Sequence, residues 1–442
     1  MPAPEWETVW RMSSGRVVAA VALAGPAEFR HLRRLEFCYN VSIMRTIAEN
    51  ANDFVSMGGG VLRVVLSGGF LKSFNQGLLT AALACLALQP GVDSVYLSAF
   101  AGIGAASQIL SSFAAGSVAE RFGLRKALFA VAALAVLSAV LLCVSGSKPG
   151  WVCGNVAKGF SFGLIAVLMP VILASGGSRA GTDRASGAFQ LSQQIGGILG
   201  ALTGATFAYV WRNNPAAALR ADFLAMAVPA VPFLLAIRGF GGGAATVVRK
   251  ERPVRKLHLA ACVPAVLFMV FMSACGIGTV MEYLAVVFLR RGLDLSGSCA
   301  VSAAVHLLPV AAVVLSTALA VRMNAFRRVA LGALGMAVGL LGAAFAHGTF
   351  FAVCLALASV SFAFGPGACA WGIVPRLISS PYRACGTSVA IVSGQLVSLV
   401  LTTMFLPALD WLGLETVLAA FAIMSAAMAV VAVAGGRKAG LV

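Results

Sequence analysis

The chain has 442 residues, 60% of them hydrophobic and 11% charged, with a formal net charge of +17 and a mean hydropathy of +0.94. Soluble proteins average about 45–50% apolar and about 25% charged residues, so a soluble fold of this size has no interior for so much apolar surface. Disorder, which needs low hydrophobicity, is excluded too, and a polytopic membrane protein remains.

Residues 1–61 read as a mostly polar cytoplasmic leader. Glu5, Glu7 and Trp10 occupy its start, where a secretory signal would be basic. A helix needs about 20 apolar residues to cross a bilayer, so runs without charge mark the crossings. They fall at 62–88, 94–118, 127–147, 150–174, 186–210, 220–238, 258–282, 296–320, 328–347, 349–374, 384–408 and 414–435. The sixth is the shortest, with an uncharged core from Phe223 to Ile237 that contains Pro229 and Pro232. The ninth and tenth share one run, interrupted by His347 and Gly348. The predicted fold class is therefore an all-α polytopic membrane protein with twelve transmembrane helices.

Cytoplasmic loops carry an excess of Lys and Arg. With the N-terminus inside, 25 basic residues fall on the inner side and five on the outer: Lys148, Arg212, Arg220, Arg290 and Arg291. That asymmetry places both termini in the cytoplasm and accounts for the basic charge through an anionic membrane face rather than nucleic acid. Asn40-Val-Ser42 is a glycosylation sequon, but this orientation keeps it inside and unmodified. Ten cysteines, such as Cys85, Cys143, Cys262 and Cys354, form no CxxC and sit mostly in apolar runs. They read as small buried hydrophobes, not as a disulfide framework or metal site. No cofactor is expected.

Residues 239–257, GFGGGAATVVRKERPVRKL, are Gly-rich and then basic. They divide the spans six and six, into a bundle at 62–238 and a bundle at 258–435, with a cytoplasmic tail at 436–442. Two six-helix halves joined by a cytoplasmic linker suggest a transporter built from repeats.

After span 2 the sequence reads Gly116-Ser-Val-Ala-Glu120-Arg121-Phe-Gly123-Leu-Arg125-Lys126. Gly116 would let two helices approach closely, and Glu120 and Arg121 could latch helix ends by charge. The segment resembles the loop 2–3 signature of the major facilitator superfamily, G-x-x-x-D/E-R-x-G-R-R/K. Span 1 holds Gly68-Gly69-Phe-Leu-Lys72-Ser-Phe74-Asn75-Gln76-Gly77. Pro170-Val-Ile-Leu173 precedes Gly187-Ala-Phe-Gln190-Leu191, span 10 holds Gly365-Pro366-Gly367-Ala-Cys-Ala-Trp371, and Arg383-Ala-Cys-Gly386 follows. These resemble, in order and spacing over roughly residues 64–435, the motifs of the sugar porter branch.

That resemblance implies two pseudo-symmetric six-helix bundles and a sugar or polyol as solute. It matches Gln190 to a helix 5 glutamine that hydrogen-bonds a sugar hydroxyl. It matches Trp371 to a helix 10 tryptophan that stacks on the sugar ring. Asn75 falls where proton-coupled members carry Asp and facilitators carry Asn, which favours uniport because an amide carries no proton. Gly116, Glu120, Arg121, Gly123, Arg125, and the second-half remnant Arg327-Arg328, are implied as gating residues. The departures are equally specific. The helix 7 Q-Q-x-x-G-x-N is Met272-Ser273-Ala-Cys-Gly276-Ile-Gly278, the acidic position of loop 4–5 is Ser175, the acid after Trp371 is Arg376, and the helix 4 arginine is Asn155, with Lys158 three residues on.

Ionisable residues inside a membrane are costly and mark function. Lys72, Lys158 and Glu282 fall within spans. Lys72 shares a helix face with Asn75, and pseudo-symmetry of helices 1 and 7 makes a Lys72–Glu282 pair reasonable. Gln190 and Gln194 share a face of span 5, with Gln193 beside them, and Gln395 in span 11 adds a further amide. Amides donate and accept at once, which suits a hydroxyl-rich ligand. Gly196, Gly197, Gly200 and Gly204 follow at near-helical spacing and suit close packing.

Three readings are therefore carried forward. The first is a sugar or polyol carrier working by alternating access. The second is the same fold carrying an organic anion or nucleoside, or coupled to protons, motivated by Lys72 and the missing helix 7 amides. The third is a non-transporting sensor or degenerate paralogue. The sequence lacks G-x-x-x-x-G-K-S/T and any catalytic constellation, so an enzyme is not expected. A small solute and the lipid bilayer are the expected partners, nucleic acid is not one, and a monomer in the plasma membrane is the expected state.

Overall fold

The computed structural model describes residues 59–175, 179–240, 259–320, 322–378 and 383–438. The leader before residue 59, the sequon, most of the 239–257 linker and the last four residues lie outside the described residues.

Helices follow the apolar runs. They are α1 (Gly59–Ala87), α2 (Ser94–Phe122), α3 (Leu124–Val144), α4 (Lys148–Ser175), α5 (Arg179–Val210), α6a (Pro215–Ala225) and α6b (Ala230–Arg238). The second half holds α7a (Leu259–Ala274), α7b (Ile277–Glu282), α7c (Leu284–Arg290), α8a (Leu295–Leu307), α8b (Pro309–Leu319), α9 (Ala325–Phe345), α10a (Gly348–Phe362) and α10b (Ala368–Ile373). The helical run Arg383–Lys438 is interrupted only at Gly413 (φ 79°, ψ 157°). Gly386, at its start, lies beside Cys262, and Gly435, near its end, beside Phe326. Both neighbours begin helices at the same end of the bundle, so the run is a hairpin: α11 before Gly413 and α12 after it. Twelve crossings result, all-helical among the described residues. Among the described residues nine stretches are long and apolar enough to span a membrane by themselves, the hairpin counting as one.

Local chemistry sets the boundaries. Asp93 caps α2 by accepting from the Tyr96 N–H (2.8 Å), and Asp294 caps α8a by accepting from the Gly297 N–H (3.2 Å). Asn214 and Asn324 cap α6a and α9 in the same way, each satisfying an orphan N–H of a first turn. Gly123 (φ 86°) turns α2 directly into α3. Span 6 is not one helix: Met226–Pro229 form turns between α6a and α6b, because Pro229 cannot donate to the preceding turn.

The loops joining α1 to α2, α3 to α4, α5 to α6a, α7c to α8a, α9 to α10a and α11 to α12 gather at what we call the odd-loop end. The helix ends opposite to it form the even-loop end. Large apolar side chains such as Leu110, Phe113, Leu137, Leu331, Val338 and Ile423 face outward, the signature of lipid as solvent.

Small residues bring α1 and α5 into backbone contact. A Cβ on Gly200 would lie 2.1 Å from the Phe74 carbonyl oxygen, and one on Gly77 would lie 2.1 Å from that of Gly197. Gly196 stands similarly close to Phe70, so the span 5 glycine row does serve close packing. The same device joins α2 to α4, where Gly163 meets Gln108 and Ser111, and the Ser111 and Ser112 hydroxyls donate to the Gly159 and Gly163 carbonyls. Gly116 is different. Beyond its own helix, no atom of the described residues lies within 4 Å of a Cβ placed there, so among them the expected close approach at this glycine is not made.

Candidate functional site

Helix 7 breaks where the family resemblance kept only a glycine. Gly276 takes the left-handed conformation (φ 68°) between α7a and α7b. A Cβ there would also lie 2.5 Å from the Phe421 ring, so conformation and space both require glycine. Helix 10 is irregular at the corresponding place. Ala363–Gly367 form a π-turn around Pro366, which removes a backbone donor and lets the ladder widen.

These two irregular helices face a cavity of about 190 Å³. From α1 it is lined by Ser73, Gln76, Gly77 and Thr80, the i, i+3, i+4, i+7 face of one helix. From α5 come Gln193, Gln194 and Gly197, and from α7b Ile277, Gly278, Met281 and Glu282. Helix 8 adds His306 and Pro309, and helix 10 adds Ser359, Phe362 and Ala363. His306 is oriented by its Nδ1, 2.8 Å from the Ser302 carbonyl oxygen. That carbonyl can only accept, so Nδ1 carries the proton and Nε2 is left available. Among the described residues Glu282 is the one carboxylate on the lining, and no Lys or Arg is on it.

Of the solute-contact residues expected from sequence, Gln194 and Glu282 stand on this lining. Gln190 is buried one turn below it. Asn75 is buried with its Oδ1 unpartnered, and its neighbour Gln76 faces the cavity instead. Lys72 is half-buried and off the lining. Gln395 is half-buried, off the lining, with Oε1 unpartnered. The side chains of Trp371, Glu120 and Arg376 lie outside the described residues.

The expected Lys72–Glu282 pair is not formed. The charge that acts on Glu282 is Lys158 of α4, which is 5% exposed. Lys158 also lies 5.9 Å from the Phe162 ring centroid. The two charges attract across the halves without forming an ion pair. The reason is rotational: Lys72 shares its helix with Asn75 and Gln76, and the face carrying Gln76 points at α7b.

Sequence reading missed His306, a lone histidine in an apolar run, and Gln76, hidden beside Asn75. It also missed Asp222. The reading put the core of span 6 after this residue, yet Asp222 is fully buried in α6a, with neither carboxylate oxygen partnered. Glu282 is therefore not the only acid inside a span.

The odd-loop end is closed by contacts between the halves. Arg290 of α7c donates across the halves to the Ser94 hydroxyl of α2 (2.7 Å) and, within the second half, to Asp410 of α11 (2.8 Å). The Thr80 hydroxyl donates to the Met281 carbonyl (3.3 Å), and Gly102 of α2 packs on Thr403 of α11. At the even-loop end Arg121, Arg125 and Arg327 are exposed. Arg121 and Arg125 lie over their own neighbours Phe122 and Phe129. Arg328 is buried and donates to the Ser316 carbonyl and hydroxyl, tying α9 to α8b.

Comparison with known proteins agrees with this geometry. The Major Facilitator Superfamily family model matches residues 65–402. Among solved structures, a D-xylose-proton symporter superposes with a TM-score of 0.71 at 18% identity, covering 84% of this chain and 96% of that one. The partially occluded inward-open xylose transporter XylE from E. coli gives 0.70 at 17% identity, covering 84% and 97%. The human organic anion transporter MFSD10 gives 0.60 at 15% identity, covering 84% and 99%. At these identities the likeness is one of fold. A human proton myo-inositol cotransporter is 24% identical over 107 residues, which is 24% of this chain and 16% of that protein.

Proposed function

The chain belongs to the major facilitator superfamily, whose members of this fold are transporters and not enzymes, and we propose that it carries a small, uncharged, hydroxyl-rich solute by alternating access. A sugar or polyol is the solute class, and facilitated uniport is the mode. The observation that carries this reading is the lining. Three amides (Gln76, Gln193, Gln194) and three hydroxyls (Ser73, Thr80, Ser359) surround a space of about 190 Å³. Each amide both donates and accepts, as a sugar hydroxyl does. The volume is below the roughly 300–1,000 Å³ of drug-sized sites, so the solute is of monosaccharide rather than oligosaccharide scale.

An anion is disfavoured by the same lining. Among the described residues its one formal charge is the Glu282 carboxylate, and Lys72, which motivated the anion reading, is off the wall. Glu282 opposed by Lys158 leaves the site near neutrality. Asn75 supports uniport, since it replaces a proton-carrying acid by an amide in the resemblance. The proton-coupled alternative rests on Glu282 and His306, the two titratable groups on the lining. Both bundles and the whole cavity lie within one chain, which supports a monomer. The charge asymmetry of the loops supports cytoplasmic termini in a plasma membrane.

The test is solute-dependent thermal stabilisation of purified protein with glucose, fructose, myo-inositol and an organic anion such as benzoate. Stabilisation by a neutral polyol, lost in Gln194→Ala, supports the reading. Stabilisation by the anion alone overturns it.

A further inference from the structure

A second hollow lies on the lipid-facing surface of the first half. It encloses about 620 Å³ and runs along the face of α3 from Phe129 to Val140, with Leu234 of α6b as its far wall. α6b packs against α3. Ala132 and Ala133 are small, and between Phe129 and Val136 they leave the depression. Among the described residues every lining side chain is a hydrocarbon. A hydroxyl-rich solute finds no hydrogen-bond partner there, whereas an acyl chain needs none.

Length and charge define the occupant. From Phe129 to Val140 the helix rises about 16 Å. The hydrocarbon core of a bilayer is about 30 Å thick, so the hollow matches the depth of one leaflet. It starts one turn inside the even-loop end, and there both walls carry a cation in register with an apolar residue of the lining. Arg125 stands four residues before Phe129 on α3, with its guanidinium carbon 6.0 Å from the Phe129 ring centroid. Arg238 stands four residues after Leu234, in the last turn of α6b. Residues four apart share a helix face, and both arginines are exposed. Arg121 and Lys126 are exposed near Arg125. Neither α3 nor α6b carries an acid, and Glu120 is the single acid between Gly116 and Lys126. α3 also begins here, after Gly123, which has no side chain to cap it. Its first N–H groups therefore point out of the same end and favour an anion.

We propose that the hollow between α3 and α6b binds an anionic phospholipid from the leaflet at the even-loop end. The phosphate lies between Arg125 and Arg238, and one acyl chain lies along α3 over Ala132 and Ala133. Loop charges elsewhere attract an anionic membrane collectively. Here cations on two helices meet a groove of one-leaflet length, which makes a discrete site. It is built from the first half alone and does not depend on the solute assignment.

The experiment uses the full-length protein, delipidated in a nonionic detergent, and native mass spectrometry. The probes are palmitoyl-oleoyl phosphatidylglycerol, the phosphatidylcholine with the same chains, and inorganic phosphate. The wild type should bind one phosphatidylglycerol more tightly than phosphatidylcholine, and the preference should shrink in high salt. Arg125→Gln combined with Arg238→Gln should weaken that binding roughly tenfold or more, as expected for two cations at a membrane surface. Ala133→Trp, at an exposed position, fills the groove and should weaken it too while leaving every charge in place. Arg327→Gln removes an exposed cation of α9 at the even-loop end and should leave it unchanged. Melting of each variant without lipid checks that it folds. Equal binding of the two lipids by the wild type, or full binding by Ala133→Trp, overturns the proposal. So does a loss in Arg327→Gln as large as in the double variant, or saturation of the site by inorganic phosphate alone. A dimer that Ala133→Trp dissolves overturns it as well, by making this face a contact between copies.

Discussion

Substituting alanine for glycine at two helical positions should have opposite effects, and the reason is geometric. At Gly200 the new Cβ would lie 2.1 Å from the Phe74 carbonyl oxygen, 2.9 Å from the Phe74 carbonyl carbon and 3.0 Å from the Leu78 nitrogen. All three are backbone atoms of α1, so no rotamer change relieves the clash. The α1–α5 spacing must open by more than an ångström to restore ordinary contact. Overpacking of a close-packed interior costs about 1–3 kcal/mol, and with backbone on both sides the upper end, about 3 kcal/mol, is expected. At Gly116 nothing among the described residues beyond its own helix lies within 4 Å of the Cβ position. There the helix gains the usual advantage of alanine over glycine, about 0.5–1 kcal/mol. Thermal unfolding of the detergent-solubilised variants reads both. Gly200→Ala should melt well below the wild type, and Gly116→Ala at or slightly above it. Gly200→Ala melting with the wild type would refute the claim that backbone contact sets the α1–α5 distance.

Three further outcomes follow from the charges. Arg290→Ala removes the bonds to Asp410 and Ser94 together, while Asp410→Asn spares Ser94. The pair is 33% and 45% exposed, so each change should shift closure of the odd-loop end by only about 0–1 kcal/mol. The shift should shrink in high salt and be larger for Arg290→Ala, which alone removes a bond between the halves, as read by the distance between spin labels at Val95 and Trp411, exposed at the odd-loop ends of α2 and α11. Glu282→Gln leaves buried Lys158 without its opposing charge, and Lys158→Met leaves Glu282 alone. Each single variant should lower the melting temperature, and the double variant should recover part of the loss. Additive losses would show that the two charges do not interact. At the odd-loop surface, the Ser296 hydroxyl, helped by the Gly297 N–H against slight desolvation, holds the Asp294 carboxyl below the usual carboxylate range. A depressed folded-state value means that its contribution is complete above the unfolded value of about 3.9. That contribution is lost as pH falls through the folded one. Ser296→Ala should move the acid loss of α8a protection, measured by hydrogen exchange, to higher pH.

Crossings were legible because lipid imposes a length. Twelve runs of about 20 apolar residues became twelve passes, and interruptions such as His347-Gly348 became the turn between α9 and α10a. The glycine row of span 5 was legible because near-helical spacing of residues without side chains has one main use in a membrane. What sequence could not give was rotation about each helix axis. Gln190, Gln193 and Gln194 lie within one turn and a half, and Asn75 adjoins Gln76. Which of them faces the solute depends on how α1 and α5 are turned against α7b. The same ignorance paired Glu282 with Lys72 instead of Lys158. Asp222 was missed for another reason. Together with Arg220 it looked like the edge of a span, yet α6a begins at Pro215 and carries the acid two turns into the protein. The helix 7 break needed a left-handed glycine packed on Phe421, a contact between residues 145 positions apart in the chain.

The central claim, a neutral polyol carried through an amide-lined cavity, is tested most directly by uptake into proteoliposomes. Radiolabelled glucose, fructose, myo-inositol and benzoate would be compared with and without a proton gradient. The account predicts entry of a neutral polyol, at a rate independent of the imposed gradient, strongly reduced in Gln194→Ala and Gln76→Ala and retained in Lys72→Ala. Entry of benzoate alone, abolished by Lys72→Ala and indifferent to Gln194→Ala, would contradict it.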